Sequence, residues 1–371
     1  LAGPFTVDGV VTFDGQASGQ WDGFYIQDPA GDGNSSTSDG IYIYDPLPAL
    51  LGVNVGDYVR VTGTVSEFAQ NFSLVTPSGL SSTTETEITA TSVTLCGNLA
   101  SVTPTVITLP FATLDQQEQY EGMLVTVNQT LTVTELFTLG RYNEISLSVG
   151  GRLFQPTNYL APGAAAIAQQ DLNNRSRILL DDGRKLQNVD PIIYPAPALS
   201  ASNTVRHGDT VASVTGVYTQ ANSRFGNGTS TNTNPFRYRL NPTAPVSFTP
   251  ANPRPAAAPS VGGTLTAGSL NLLNYFNNFT ACYLNGTFTN GNCRGANNAT
   301  EFTRQRAKTI AAILKINPAV LGVNELENDI PNDNGGLNGA TTAIEDLVNG
   351  LNAATAPGTY AFINTGRIGT D

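Results

Sequence analysis

Histidine is almost absent from this chain: His207 is the only one among 371 residues. Cysteine is scarce too, with Cys96, Cys282 and Cys293 alone, and charged side chains make up only 13% of the sequence. No zinc-spaced Cys/His cluster can be drawn from these residues, and no glycine-rich phosphate loop occurs. Nor does any apolar run reach the length needed to cross a bilayer as a helix, which excludes a helical membrane span. Long surface helices draw on Lys and Glu. Here the polar share is Gly, Asn, Thr and Ser, the residue types of strands and turns, so most of the chain is expected to be β.

The net charge is −11 and is unevenly spread: residues 1–261 carry −9 and residues 262–371 carry −2. An acidic protein gains nothing from bulk attraction to polyphosphate, which excludes coating or packaging of nucleic acid. Any handling of nucleic acid must run through local basic groups or a bound cation. The three thiols leave two readings open. Cys282 and Cys293 flank a polar loop that a disulfide could close, at roughly 2–3 kcal/mol of stabilisation, or all three are unrelated buried thiols. In the first case Cys96 is left over. The opening Leu1-Ala2-Gly3-Pro4 reads as a processed N-terminus, and sequons such as Asn34, Asn128, Asn278 and Asn298 would suit glycosylation. The expectation is an extracellular or cell-surface protein.

Residues 1–100 read as one small β domain. Val59, Val61, Gly63 and Val65 alternate with polar residues at the period of a half-buried strand, and 24–26 and 41–44 are two more strands. Gly56-Asp57-x-Val59 is echoed by Gly208-Asp209-x-Val211, which suggests a second β unit over 101–245. Both are expected to be small OB-like barrels. Residues 246–263 are rich in proline and read as a linker. Beyond them, over 264–371, the pattern turns α/β. A strand is predicted over 264–273. A helix starts at Asn298 with Glu301 and turns Ala307, Ile310, Ala311 and Leu314 inward. A buried strand over 319–323, a helix carrying Ile344, Leu347, Val348 and Leu351, and a strand from Tyr360 to Ile363 complete the predicted series.

Two places could carry chemistry. At Asn271-Leu272-Leu273-Asn274 an Asn interrupts an apolar strand near its end. At Val323-Asn324-Glu325 an apolar strand runs straight into a carboxylate, which is costly unless a cation or hydrogen bonds compensate it. Strand ends of this kind are where α/β folds gather ligands. Glu325 is therefore either a metal ligand or a solvated loop carboxylate. Arg304 and Lys308, one helical turn apart, either touch phosphate or form a solvated face. The acidic loop from Asp28 through Asp32 to Asp39 either binds a structural Ca²⁺ or turns the chain. His207, just before Gly208-Asp209, reads as a surface residue rather than a relocated catalyst.

The stretches Asn271–Phe276, Cys293–Ala296, Glu301–Lys308 and Glu325–Asn328 resemble, in this order, the endonuclease/exonuclease/phosphatase superfamily. The likeness is greatest to its large secreted bacterial nucleases. Upstream, Tyr120–Val125, Gly140–Tyr142, Leu180–Gly183 and Tyr238–Pro242 resemble that family's accessory β region. The resemblance implies a DNase I-like α/β sandwich and Mg²⁺-assisted (or Mn²⁺-assisted) hydrolysis of phosphodiesters in DNA or RNA. It implies that Glu325 binds the cation and that Asn271 orients phosphate and metal, with Asn274, Arg304 and Lys308 as further phosphate contacts. It also implies two catalytic histidines and further Asp and Asn residues in a later segment. The sequence is thus expected to hold the first half of the catalytic domain, the rest lying in another segment or chain. The rival expectation is an inactive extracellular structural protein of nuclease ancestry, whose open strand edges pair with neighbouring copies into filaments.

Overall fold

A computed structural model of the chain describes residues 4–45, 51–68, 84–98, 101–220, 238–284, 287–290, 293–329 and 341–366. The chain divides into two compact units, Leu1–Pro253 and Arg254–Asp371. Strands dominate the first, as the composition predicts.

In the first unit β1 (Pro4–Gly15), β2 (Gly23–Gln27), β3 (Gly40–Tyr44), β4 (Asp57–Phe68) and β5 (Glu85–Asn98) close into a barrel of order β1-β2-β3-β5-β4. The alternation read from Val59, Val61 and Gly63 is that of β4, whose inward side chains join Val11, Phe24, Ile26, Ile43 and Ile88 in one core. Closure comes from β1, which pairs antiparallel with both β2 and β4.

The second β region differs from its expected form. Strands β6 (Thr105–Ile107), β7 (Leu124–Val127), β8 (Leu131–Glu135), β9 (Ile145–Ser148), β10 (Arg177–Leu180), β11 (Thr210–Val211), β12 (Val214–Gln220) and β13 (Tyr238–Pro242) form one mixed sheet. Its order is β11-β8-β9-β10-β13-β12-β7-β6, where a second small barrel was expected. Helices α1 (Leu139–Tyr142) and α2 (Ala164–Arg175) lie in its connections. The Gly-Asp echo marks a shared turn, not a shared fold. Gly56 and Gly208 both have positive φ, +96° and +94°, a conformation open to glycine at little cost. In both turns the Asp carboxylate accepts the backbone N–H three residues upstream, from Asn54 at 2.8 Å and Arg206 at 2.7 Å.

The expected linker is also shorter than its prolines suggest. Val246 is buried in the sheet's core, Phe248 packs on it, and Thr249 bridges Thr210. Apolar burial holds 246–249 to the sheet despite the prolines. Barrel and sheet meet closely: a Cβ on Gly40 would lie 2.4 Å from the Gly122 carbonyl carbon. Tyr25 and Tyr42 share a small cluster there with Val217. At the sheet's centre the guanidinium of Arg239, 3% exposed, pairs with Asp181 at 2.7 Å and Glu144 at 3.2 Å.

The second unit is built on β14 (Ala267–Tyr275), a β15 (Ala281–Leu284)–β16 (Thr287–Asn290) hairpin, α3 (Ala299–Ile316), β17 (Val320–Leu326) and α4 (Ala343–Ala354). The hairpin is tied by the Cys282–Cys293 disulfide, and Cys96 is free and exposed. Among the described residues no helix is long and apolar enough to cross a membrane. β14 and β17 pair in parallel, and Leu272, Tyr275, Phe302, Ile313, Leu347 and Leu351 form the core between strands and helices.

Three expectations are corrected in this unit. Ala307 and Ala311 are exposed, because the larger Phe302 and Ile313 set which face of α3 turns inward. The run predicted as a buried strand is half-exposed, with Val320 at 58%, because helices cover one face only. Residues 360–363 join no ladder; Tyr360 packs on the core while Ile363 is exposed.

Removing one member of a buried ion network leaves the others without counter-charge, at a cost of about 3–5 kcal/mol. Arg239→Met is therefore expected to destabilise the first unit by that amount. Urea unfolding of the full chain, followed by fluorescence of Trp21, measures it; an unchanged midpoint contradicts the assignment.

Candidate functional site

The parallel pairing of β14 and β17 breaks at its carboxyl end. Asn271 faces Asn324, but the next matched pair is Tyr275 with Leu326. Three residues of one strand, Leu272, Leu273 and Asn274, therefore stand opposite one residue of the other, Glu325. The mismatch is absorbed by left-handed backbone at Leu273 (φ +56°), Asn274 (+58°) and Glu325 (+57°). For residues with a Cβ this costs roughly 1–2 kcal/mol each, so something must hold it.

That role falls to Gln305 on α3. Its amide nitrogen donates to the carbonyls of Leu272 (3.2 Å), Leu273 (2.9 Å) and Asn274 (3.4 Å). From the other side the Asn271 Oδ1 accepts the Leu273 N–H at 2.8 Å. The Glu327 N–H reaches the Tyr275 carbonyl at 3.1 Å, which locks the two strands beyond the mismatch. α3 is itself anchored at its start, where Asn298 accepts the Glu301 N–H as the sequence predicts.

The consequence for Glu325 is direct. A regular strand would alternate its side chains between faces, but the left-handed turn leaves Asn324 and Glu325 both exposed. Among the described residues the Glu325 carboxylate makes no hydrogen bond and no ion pair. Asn271 is exposed and Asn274 half-buried on the partner strand. The predicted trio thus gathers at one strand end. Arg304 and Lys308 do not join it: both are exposed on α3, and no bond ties either to the strand ends. The Asn297 backbone amide, with help from the Arg304 charge, holds the Glu301 carboxyl below its usual range.

Three more residues shape the site. Gln305 was not singled out, since a Gln on a helix carries no distinctive signal. Glu327, 3% exposed, accepts the Asn278 amide with both oxygens at 3.0 and 3.1 Å. Asp329 receives the Ala343 N–H at 3.1 Å, at the start of α4. The spacing Glu325-x-Glu327-x-Asp329 was open to view as alternating acids. The structure separates their roles: one carboxylate faces solvent and two are buried supports.

Among the described residues no group of three or more His, Cys, Asp or Glu side chains is placed to hold a metal ion. The carboxylates of the Asp28–Asp39 loop turn the chain. Asp28 accepts the Ala30 N–H, Asp32 that of Asn34, and Asp39 that of Asp32. His207 lies 4.0 Å from Glu135 on the first unit. No protein-family model, curated protein or solved structure matches the chain.

Burial, with the Glu327 charge beside it, pushes the Asp329 carboxyl up to about 7. The folded state then binds more protons than the unfolded one between about pH 4 and pH 7. Stability from this group is full at the acid end and is lost as pH rises through 7. Calorimetric unfolding of wild type and Asp329→Asn across pH 4–8 checks this. The substitution is expected to flatten the decline, and parallel curves contradict it.

Proposed function

We propose that the second unit carries the cation- and phosphate-binding part of a Mg²⁺-dependent phosphodiester hydrolase that cuts nucleic acid outside the cell. The observation that carries this reading is the Glu325 carboxylate, unpaired among the described residues and exposed on a left-handed backbone. Strain of this kind persists only where surrounding bonds over-determine it, and it concentrates at functional sites.

The donor set fits the metal. Mg²⁺ is content with one or two protein oxygens, water filling the remaining positions. An exposed carboxylate without a bond among the described residues, on a strand end that also carries amide side chains, meets that demand, and Mn²⁺ would accept the same donors. When bound, the cation supplies charge stabilisation for the phosphate and its leaving oxygen. The chain's own residues do the positioning. Glu325 holds the ion. Asn271, its Oδ1 engaged by the Leu273 N–H, offers its amide N–H groups to a phosphate oxygen, and Asn274 stands on the same excursion. Gln305 fixes the three carbonyls that set where both Asn side chains stand. Water activation belongs, on the family resemblance, to histidines beyond these residues. The barrel order β1-β2-β3-β5-β4 suits an OB-type accessory domain.

A second reading rests on the two-stranded sheet. Among the described residues neither outer edge of β14 or β17 carries a ladder partner. Exposed edges of this sort recruit strands from other chains, so an inactive, self-assembling surface protein is the alternative. Size-exclusion chromatography beside the activity assay separates the two.

With Mg²⁺ the full chain, supplied with any segment that completes its site, is expected to nick supercoiled plasmid DNA. Glu325→Gly is expected to lower the nicking rate by roughly 100-fold or more. The same change relieves a left-handed residue, so unfolding stability should hold or rise by up to about 1 kcal/mol. Activity retained, or stability lost, contradicts the reading. Inactive wild type that elutes as very large assemblies supports the structural alternative.

A further inference from the structure

Where the barrel meets the eight-stranded sheet there is a cavity of about 350 Å³, lined among others by Tyr25, Tyr42, Glu85, Thr86, Glu118 and Glu121. Its walls are acidic. Glu85 is 7% exposed and Glu121 is 8% exposed, so both residues are more than nine-tenths buried. Part of this charge is answered from within. The Tyr25 hydroxyl donates to Glu85 Oε1 at 2.5 Å, and the Thr86 N–H donates to Glu121 Oε1 at 3.1 Å. The Tyr238 hydroxyl donates to Glu118. The second oxygen of Glu121 is buried and meets no hydrogen-bond partner among the described residues.

A buried oxygen of this kind costs free energy unless something bonds to it. The cavity that Glu121 lines is large enough for a small molecule. Burial holds the two acids in their protonated forms near neutral pH. Burial pushes Glu85 up to about 8, further raised by Glu87 and opposed by the Tyr25 hydroxyl and the Arg239 charge. Burial pushes Glu121 up to about 9, with Glu85, Glu118 and Glu67 adding to it and the Thr86 N–H opposing. Near neutral pH both are therefore largely protonated, and a cation that enters favours their ionised forms, so binding releases protons and strengthens as pH rises through 8. A bare metal ion is the poorer guest, since no three carboxylates converge on one point among the described residues. Aromatic walls argue for an organic one: the Tyr25 and Tyr42 rings lie 5.0 Å apart, and such rings attract ammonium groups.

We infer that this cavity binds a small organic cation bearing a primary ammonium group, which donates to Glu121 Oε2 and lies between Glu85 and Glu118 along the tyrosine wall. The inference stands on the first unit alone and is independent of any hydrolase activity in the second.

Calorimetric titration of the full chain with 1,4-diaminobutane tests it, with 1,4-butanediol and CaCl₂ as the two controls. Saturable one-to-one binding of the diamine is expected, with none of the diol. Glu121→Gln keeps the shape and the Thr86 bond but cannot ionise when the cation enters, and should weaken binding at least tenfold. Glu85→Gln should also weaken it, and serves where the first variant fails to fold as judged by Trp21 fluorescence. Absence of saturable binding at millimolar diamine overturns the proposal. So does binding unchanged in the folded variants, equal binding of the diol, or stoichiometric Ca²⁺ binding that displaces the diamine.

Discussion

Three residues with side chains are forced into a backbone conformation that glycine normally takes, and none of them is glycine. Leu273, Asn274 and Glu325 share this state at the carboxyl end of one parallel strand pair. The cause is arithmetical: three residues of β14 must pass one residue of β17 before the register resumes. Everything proposed for the second unit follows from how that mismatch is held. Gln305 gathers the three carbonyls, Asn271 takes the amide, and Glu325 is left pointing outward with no protein partner among the described residues. An unstrained strand would have placed this carboxylate by alternation on the face opposite to Asn324. The bulge leaves both exposed, at the strand end that also carries Asn271.

The first unit handles buried charge in two contrasting ways. Around Arg239 the account is closed, since one guanidinium faces two carboxylates deep inside the sheet. At the junction with the barrel, acids are buried with hydroxyl and amide donors but one oxygen of Glu121 is left over. Buried polar groups in folded proteins are nearly always satisfied; Glu121 Oε2 shares its lack of a partner among the described residues with Asn143 Oδ1, Arg206 Nη1 and Asn241 Oδ1, but it lies on a cavity wall. The close backbone approach of Gly40 to Gly122 shapes the same junction. Side chains there would pry the barrel from the sheet.

Much of this was legible in the sequence where the signal is local. The β4 alternation, the Asn298 cap with Glu301, the second amphipathic helix and the hairpin cysteines are each read from residues a few positions apart, and each stands in the structure. The Gly-Asp echo was legible as well, but it encodes a turn with a left-handed glycine and an Asp bond; the sheet that follows is set by non-local pairing that a short motif does not carry. Long-range facts were hidden for the same reason. Alanine spacing misdirected the face of α3 because Phe302 and Ile313 bury more apolar area. Proline content overstated the linker because Val246 and Phe248 anchor its first residues. Glu325 and Asn271 were visible as a carboxylate and an amide at strand ends. The bulge, and Gln305 that holds it, depend on register between strands some fifty residues apart and leave no mark in the local pattern.

What we propose for Glu325, unpaired among the described residues, is that it binds a divalent cation. Manganese is paramagnetic and accepts the same oxygen donors as magnesium, so its binding can be followed by electron paramagnetic resonance without any substrate or turnover. Titration of the protein with Mn²⁺ is predicted to show one bound ion in the wild type, displaced by excess Mg²⁺ and absent in Glu325→Gln. Identical binding curves for wild type and variant, or no bound ion in either, would contradict the account.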